Sequence, residues 1–185
     1  MPDAPDFASL SLAELARFAA GQRLPPVERW NPAHCGDSEM RIARDGTWFH
    51  QGSPIRRPEM VRLFSTILRR EADGSHVLVT PVEKLTIRVD DAPFVAVELK
   101  REGAGAAQRL AFRLNTGDVI VAGPDHPLRF EHDAAGPRPC LSVRSGLDAL
   151  IARPLYYELA EIALAASDAS PVLWSDGACF AMASA

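Results

Sequence analysis

A chain of 185 residues, 47% hydrophobic and 24% charged, has enough apolar side chains for one generous core or two smaller ones. Its formal charge of −4 excludes a protein that coats duplex nucleic acid or an anionic membrane with its whole surface. Three dispersed cysteines (Cys35, Cys140, Cys179) form no C-x-x-C and exclude a disulfide framework, and no apolar run nears the ~20 residues that span a bilayer. The start, "MPDAPDFASL", has no basic-then-apolar leader pattern. A reducing cytoplasm is the expected compartment.

"SLAELARFAAG" predicts a short helix. Ser11 and Glu14 make a capping box, Leu12, Leu15 and Ala19 share a face, and Gly21 ends it. The prolines of "LPPVERWNPAHCGD" forbid regular helix and predict an extended connector. "MRIAR-DG-TWFHQ" then predicts a hairpin with Asp45-Gly46 as a two-residue type I′ turn. That register sets Ile42 against Phe49 on a core face and Arg41 against His50 on the other, where Trp48 would form an aromatic platform.

"PEMVRLFSTILRREADG" predicts a helix from Pro58 with Arg69 and Arg70 in its last turn and Gly74 closing it, followed by a strand at "HVLVT". From Leu85 short runs ("LTIRV", "FVAVELK", "AQRLAFRL", "DVIVA", "LRFEH", "CLSVR") alternate with turn signals, as expected of a bent antiparallel sheet or partial barrel. "GLDALIARPLYYELAEIALAA" predicts a helix over 146–166 interrupted at Pro154, and "PVLWS" and "CFAMA" predict closing strands. An internal repeat links "IRRPEMVRLFSTIL" (55–68) with "IARPLYYELAEIAL" (151–164), at an offset of 96. The fold class expected is α+β, with two halves sharing a duplicated helix-strand core and mostly antiparallel sheets. The organisation expected is a lead-in over 1–24, a first domain over 25–84 and a strand-rich second domain over 85–185.

The blocks "RDGTWFHQGSPI" and "LVTPVEKL", with "VRSGLDALIARPLYYEL" later, resemble the bacterial domain-of-unknown-function family 1285 from about Pro25 onward. The resemblance implies a duplicated α+β core whose second half is pleckstrin-homology-like. It also implies a site between the halves for a nucleic-acid-like ligand in signalling. One departure is "GDSEM", where an Ile-Asp pair is expected before the Met, so no acidic role transfers to Ser38.

No Walker loop, G-x-G-x-x-G, H-E-x-x-H or G-x-S-x-G occurs. "DHPLRFEHD" lacks metal-ligand spacing, and His34-Cys35 are neighbours in a predicted connector, so neither a metal, a cofactor nor cysteine catalysis is expected. The reading is a binding protein for an anionic, nucleotide-like ligand. Trp48 and His50 would meet the ring, and Arg56, Arg57, Lys84 and Arg153 the charge. The alternatives are a protein-interaction module anchored by Tyr156, Tyr157 and Trp174, and a nucleotide-directed hydrolase with His50 as base assisted by Glu83 or Asp45.

Overall fold

The computed structural model describes residues 7–21, 23–133, 136–166 and 171–182. Residues 1–6, in which no leader pattern was expected, lie outside the described residues. The chain is α+β and forms two similar halves, each built on a six-stranded sheet.

Helix α1 (Leu12–Gly21) starts at the expected capping box: the Glu14 carboxylate accepts from the Ser11 amide at 2.8 Å, and Ser11 Oγ accepts from the Glu14 amide at 3.3 Å. The Ser11 hydroxyl, donating to the same carboxylate at 2.6 Å, and the Ser11 amide hold the Glu14 carboxyl below its usual range. The helix belongs to the C-terminal half, where Leu12, Leu15, Ala111 and Val119 share one core.

The N-terminal half holds residues 23–94 with Ser145–Leu147. A 3₁₀ turn (Val27–Arg29) leads into β1 (His34–Ile42), followed by β2 (Trp48–His50), β3 (Ser53–Pro54), α2 (Pro58–Thr66), β4 (Leu68–Arg70), β5 (His76–Val79) and β6 (Glu83–Val89). The sheet order is β3-β2-β1-β6-β5-β4; β1 and β6 pair parallel and the other neighbouring strands pair antiparallel. The connector is thus shorter than its prolines suggest. From His34 its residues find a partner in the ladder of β6.

Helix α2 stops at Thr66, and Arg69 and Arg70 lie in a strand instead of a last helical turn. The hairpin to β5 wins because Leu68 and Leu78 pair and bury, while Gly74 (φ 87°) closes the β4–β5 turn. The sheet runs on through Val89 and the contact boundary falls after Phe94, so "LTIRV" belongs to this half and not to the one expected from Leu85.

The C-terminal half adds β7 (Phe94–Glu102), β8 (Arg109–Leu114), β9 (Val119–Val121), β10 (Leu128–Asp133), β11 (Gly136–Arg144), β12 (Leu147–Ile151), α3 (Arg153–Ala166), β13 (Val172–Ser175) and β14 (Ala178–Ala181). Its sheet, the curled half-barrel, runs β10-β11-β12-β7-β8-β9. Counted from the first strand of each half, both sheets follow the order 3-2-1-6-5-4. The duplication is therefore carried by the sheets. Helix α2 lies between the third and fourth strands of its half, whereas α3 follows the sixth.

Residues 147–151 form a strand and not the first turn and a half of the expected helix. Ser145 and Gly146 have positive φ (42° and 75°), the pattern of a type I′ hairpin, and Pro154 sits in the first turn of α3, where its missing N–H is harmless. Pro154 starts this helix; it does not interrupt one.

Candidate functional site

The β1–β2 hairpin has a different turn from the one expected. The Ala43 amide donates to Thr47 O at 2.9 Å and the Gly46 amide to Ala43 O at 2.9 Å, with Gly46 at φ 84°. This is a three-residue loop, a type I turn closed by a left-handed glycine. Asp45 stabilises it by accepting from the Thr47 amide at 2.9 Å, and this bond depresses its carboxyl pKa. One extra loop residue shifts the register by one: Ile42 faces Trp48, Arg41 faces Phe49 and Met40 faces His50.

The consequence for Trp48 is large. It shares the core face with Ile42, is 1% exposed and stacks on Phe64 of α2, with ring centroids 6.5 Å apart. Its indole Nε1 is sealed and has no hydrogen-bond partner among the described residues. Trp48 is a core residue, and the aromatic platform expected from the two-residue turn is not formed. On the opposite face Phe49 is half-buried, with the Arg41 guanidinium 5.7 Å from its ring centre.

His50 is exposed and opens the β2–β3 turn, in which Gln51 and Gly52 have positive φ. The Gln51 amide donates to Glu39 O at 3.0 Å, and its side-chain amide donates to the Glu39 carboxylate. Glu39 itself has φ 54°, at a bulge where β1 spends four residues against two of β6. This paired strain escaped the sequence reading. Its only sequence signal is "GDSE", polar and turn-forming inside a strand.

Arg56 and Arg57 are both exposed and lead directly into Pro58, the first residue of α2. Neither side chain makes a hydrogen bond or ion pair among the described residues, while the Arg57 carbonyl accepts from the Met60 and Val61 amides at 3.1 and 3.3 Å. The helix N-terminus adds partial positive charge there, offset in part by Glu59 in its first turn. His50 does not join them: it pairs with Ser53 at the hairpin tip, and Arg56 leaves the open end.

Lys84 is spoken for. Its Nζ lies 3.4 Å from the Glu71 carboxylate, which also takes Arg69 Nε at 2.7 Å. Arg69 is 8% exposed and donates to Val27 O (2.8 Å) and Trp30 O (2.7 Å), clamping the connector to β4. Arg153, exposed, opens α3 in the C-terminal half. Tyr156 and Tyr157 form a tilted pair at 5.8 Å, with Tyr157 58% exposed, and Trp174 is half-buried on β13.

The residues named for catalysis are not assembled. Asp45 is committed to its turn, and His50 has no carboxylate partner among the described residues. His126 Nδ1 contacts Ser142 O at 3.2 Å, and of Asp133 only the backbone is described. Among the described residues no group of three or more His, Cys, Asp or Glu could hold a metal ion, and no helix is long and apolar enough to cross a membrane.

Two halves of one strand order, with a cationic helix start in the first, define an α+β duplication with a candidate anion site. Residues 25–92 match the family description "Domain of unknown function (DUF1285), N-terminal domain", and residues 93–182 match "Protein of unknown function (DUF1285), C-terminal domain". The chain belongs to the DUF1285 family. It is similar to the solved structure of a DUF1285 family protein from Silicibacter pomeroyi DSS-3, with 48% identity, 90% of this chain and 93% of that chain covered, and a TM-score of 0.76. It is also similar to a DUF1285 family protein from Shewanella baltica OS155, with 25% identity, 66% and 90% covered, and a TM-score of 0.53. No curated protein matches the chain.

Proposed function

We propose that this chain is a cytoplasmic binding protein for a small anionic, nucleotide-like ligand, serving signal transduction, and that it binds the ligand without transforming it. The observation that carries this reading is the pair Arg56 and Arg57, exposed and unpaired among the described residues at the positive end of α2. Unpaired arginine forks beside a helix N-terminus favour phosphate oxygens over other surface partners. The nucleotide-like character and the signalling context come from the family resemblance. Binding without turnover is supported by the isolation of His50 from any carboxylate among the described residues.

A thermal-shift panel of nucleotides, cyclic dinucleotides and pyrophosphate tests this. A ligand at 100 times its Kd adds about 2.7 kcal/mol to the stability of the fold. The shift should vanish in Arg56→Ala/Arg57→Ala. A flat response across the panel, or a shift that survives the double substitution, rejects the reading.

A second reading, a protein-interaction module, is favoured by α3. Tyr157 (58% exposed) and Leu164 (49% exposed) are seven residues apart, on one face of a 14-residue helix in the half likened to pleckstrin-homology domains. Lysate pull-downs with Tyr157→Ser separate the two: a stoichiometric partner lost by this change and kept in Arg56→Ala/Arg57→Ala favours the module.

A further inference from the structure

The C-terminal half contains a groove of about 320 Å³, walled by the last turns of α3, by β13 and by the loop joining β7 to β8. Its volume lies at the small end of ligand pockets, about 300–1,000 Å³, and suits one or two fused rings. Ile162 and Ala165 of α3 and Val172 and Trp174 of β13 give it an apolar wall with one indole. Two polar side chains interrupt that wall, Arg101 and Gln108.

Gln108 is 3% exposed, and its Nε2 donates to Trp174 O at 2.7 Å. Because a carbonyl can only accept, this bond fixes the amide orientation and turns Oε1 the other way. No hydrogen bond reaches Oε1 among the described residues. Trp48 Nε1 is the one sealed side-chain nitrogen or oxygen without a partner among them, so Oε1 is not fully sealed, and Gln108 lines the groove. An acceptor on a buried amide, left unfilled in a concave apolar wall, is what a ligand N–H would satisfy. Arg101 is exposed, and its side chain makes no hydrogen bond or ion pair among the described residues, so its fork is available to an anion.

We propose that this groove binds a small planar aromatic carboxylate whose ring bears an N–H. The carboxylate meets Arg101, the ring N–H donates to Gln108 Oε1, and the ring lies against Trp174, Ile162 and Val172. The proposal is independent of the Arg56–Arg57 site, which lies in the other half. The competing role for Arg101 is electrostatic, as the counter-charge of the carbonyl end of α3.

The test uses indole-3-carboxylate titrated into ¹⁵N-labelled protein, read on the Trp174 indole N–H signal, which is assigned by its loss in Trp174→Phe. A saturable shift of that signal is expected, with the Trp30 and Trp48 signals unmoved and the same affinity in Arg56→Ala/Arg57→Ala. Arg101→Gln, an exposed change, should weaken binding by about tenfold or more, as loss of a charge-assisted hydrogen bond requires. The 1-methyl analogue should bind at least about fivefold more weakly, because it leaves Gln108 Oε1 unpaired. No saturable shift, or unchanged affinity in Arg101→Gln, or unchanged affinity of the 1-methyl analogue overturns the proposal.

Discussion

Glu71 holds Arg69 on one carboxylate oxygen at 2.7 Å and Lys84 on the other at 3.4 Å. The Arg69 guanidinium is nearly sealed and reaches two carbonyls of the connector, so Glu71 is its counter-charge. Removing one partner of a buried pair costs about 3–5 kcal/mol. The Glu71 side chain is 25% exposed, and water can replace part of it, so Glu71→Gln should lose about 2–3 kcal/mol in urea unfolding. Lys84→Ala should cost under about 1 kcal/mol.

The same carboxylate sets an acid limit. Partial burial pushes the Glu71 carboxyl up, but the Arg69 hydrogen bond and charge, with Lys84, outweigh it and leave the pKa below the ordinary 4.5. A depressed folded pKa gives stability that is present above the unfolded value and lost as pH falls through the folded one. Unfolding free energy should therefore fall with pH below about 4.5. That slope should be shallower in Glu71→Gln.

Trp48 offers a test of its core role. Trp48→Ala should cost about 3–5 kcal/mol, the range for a buried large aromatic. Trp48→Phe loses ring volume but also removes the unpartnered Nε1–H, two effects of opposite sign, and should cost under about 1.5 kcal/mol. Urea midpoints at unchanged slope check both.

What the sequence made legible follows from locality. The capping box at Ser11 and Glu14, the strands from "FVAVELK" to "CLSVR" and the start of α2 at Pro58 all depend on residues within one or two turns, and all were readable. The Asp-Gly turns were not, because one dipeptide serves two geometries. Asp45 and Asp73 accept from the amide of a following Thr47 or Ser75 (2.9 Å each) and close three-residue loops. Asp176-Gly177, followed by Ala178, has positive φ at both residues and closes a two-residue turn. The hydroxyl residue after the glycine is the sequence difference, and missing it slipped Trp48 onto the wrong face. The Arg69 clamp and the Gln108 amide were illegible for another reason: their partners lie 39 to 66 residues away.

Two glycines separate backbone strain from steric clash. Gly103 (φ 75°) and Gly117 (φ 89°) both sit in the left-handed region, where a side chain costs about 1–2 kcal/mol. A Cβ at Gly117 meets nothing within 4 Å, whereas at Gly103 it lies 2.5 Å from the Ala107 carbonyl oxygen. Gly117→Ala should show the strain alone. Gly103→Ala should be the more destabilising by at least about 1 kcal/mol, since the backbone there must shift. Thermal midpoints of the two variants give the comparison.

Glu59 tests the electrostatics of the anion site without touching the arginines. It places a carboxylate in the first turn of α2, where it complements the dipole and opposes any bound anion. Glu59→Gln should tighten pyrophosphate binding about two- to fivefold, an effect that fades as salt rises. It should also lower fold stability by about 0.3–1 kcal/mol, because the dipole loses its counter-charge. Opposite signs in the two measurements are the signature. Weaker pyrophosphate binding in Glu59→Gln would show that the helix end takes no part.

The cysteines should divide by reactivity. Cys35 and Cys179 are exposed, whereas Cys140 is fully buried on β11. Burial pushes the Cys140 thiol from 9.0 up to about 11, although Arg138 Nη1 at 3.2 Å from Sγ works the other way. Two pK units lower the thiolate population about 100-fold at neutral pH, and the thiolate is the reacting species. Burial also denies the reagent access, so the difference in rate should exceed that factor. Titration of the native chain with an aromatic disulfide reagent should release two equivalents quickly and the third only with unfolding. In Cys140→Ser the fast phase should stay at two equivalents and the slow one disappear. The third equivalent then reports global opening, and in Glu71→Gln it should appear faster by the factor that the urea-derived loss of stability dictates. Three fast equivalents in the native protein would mean that β11 opens far more readily than its burial implies.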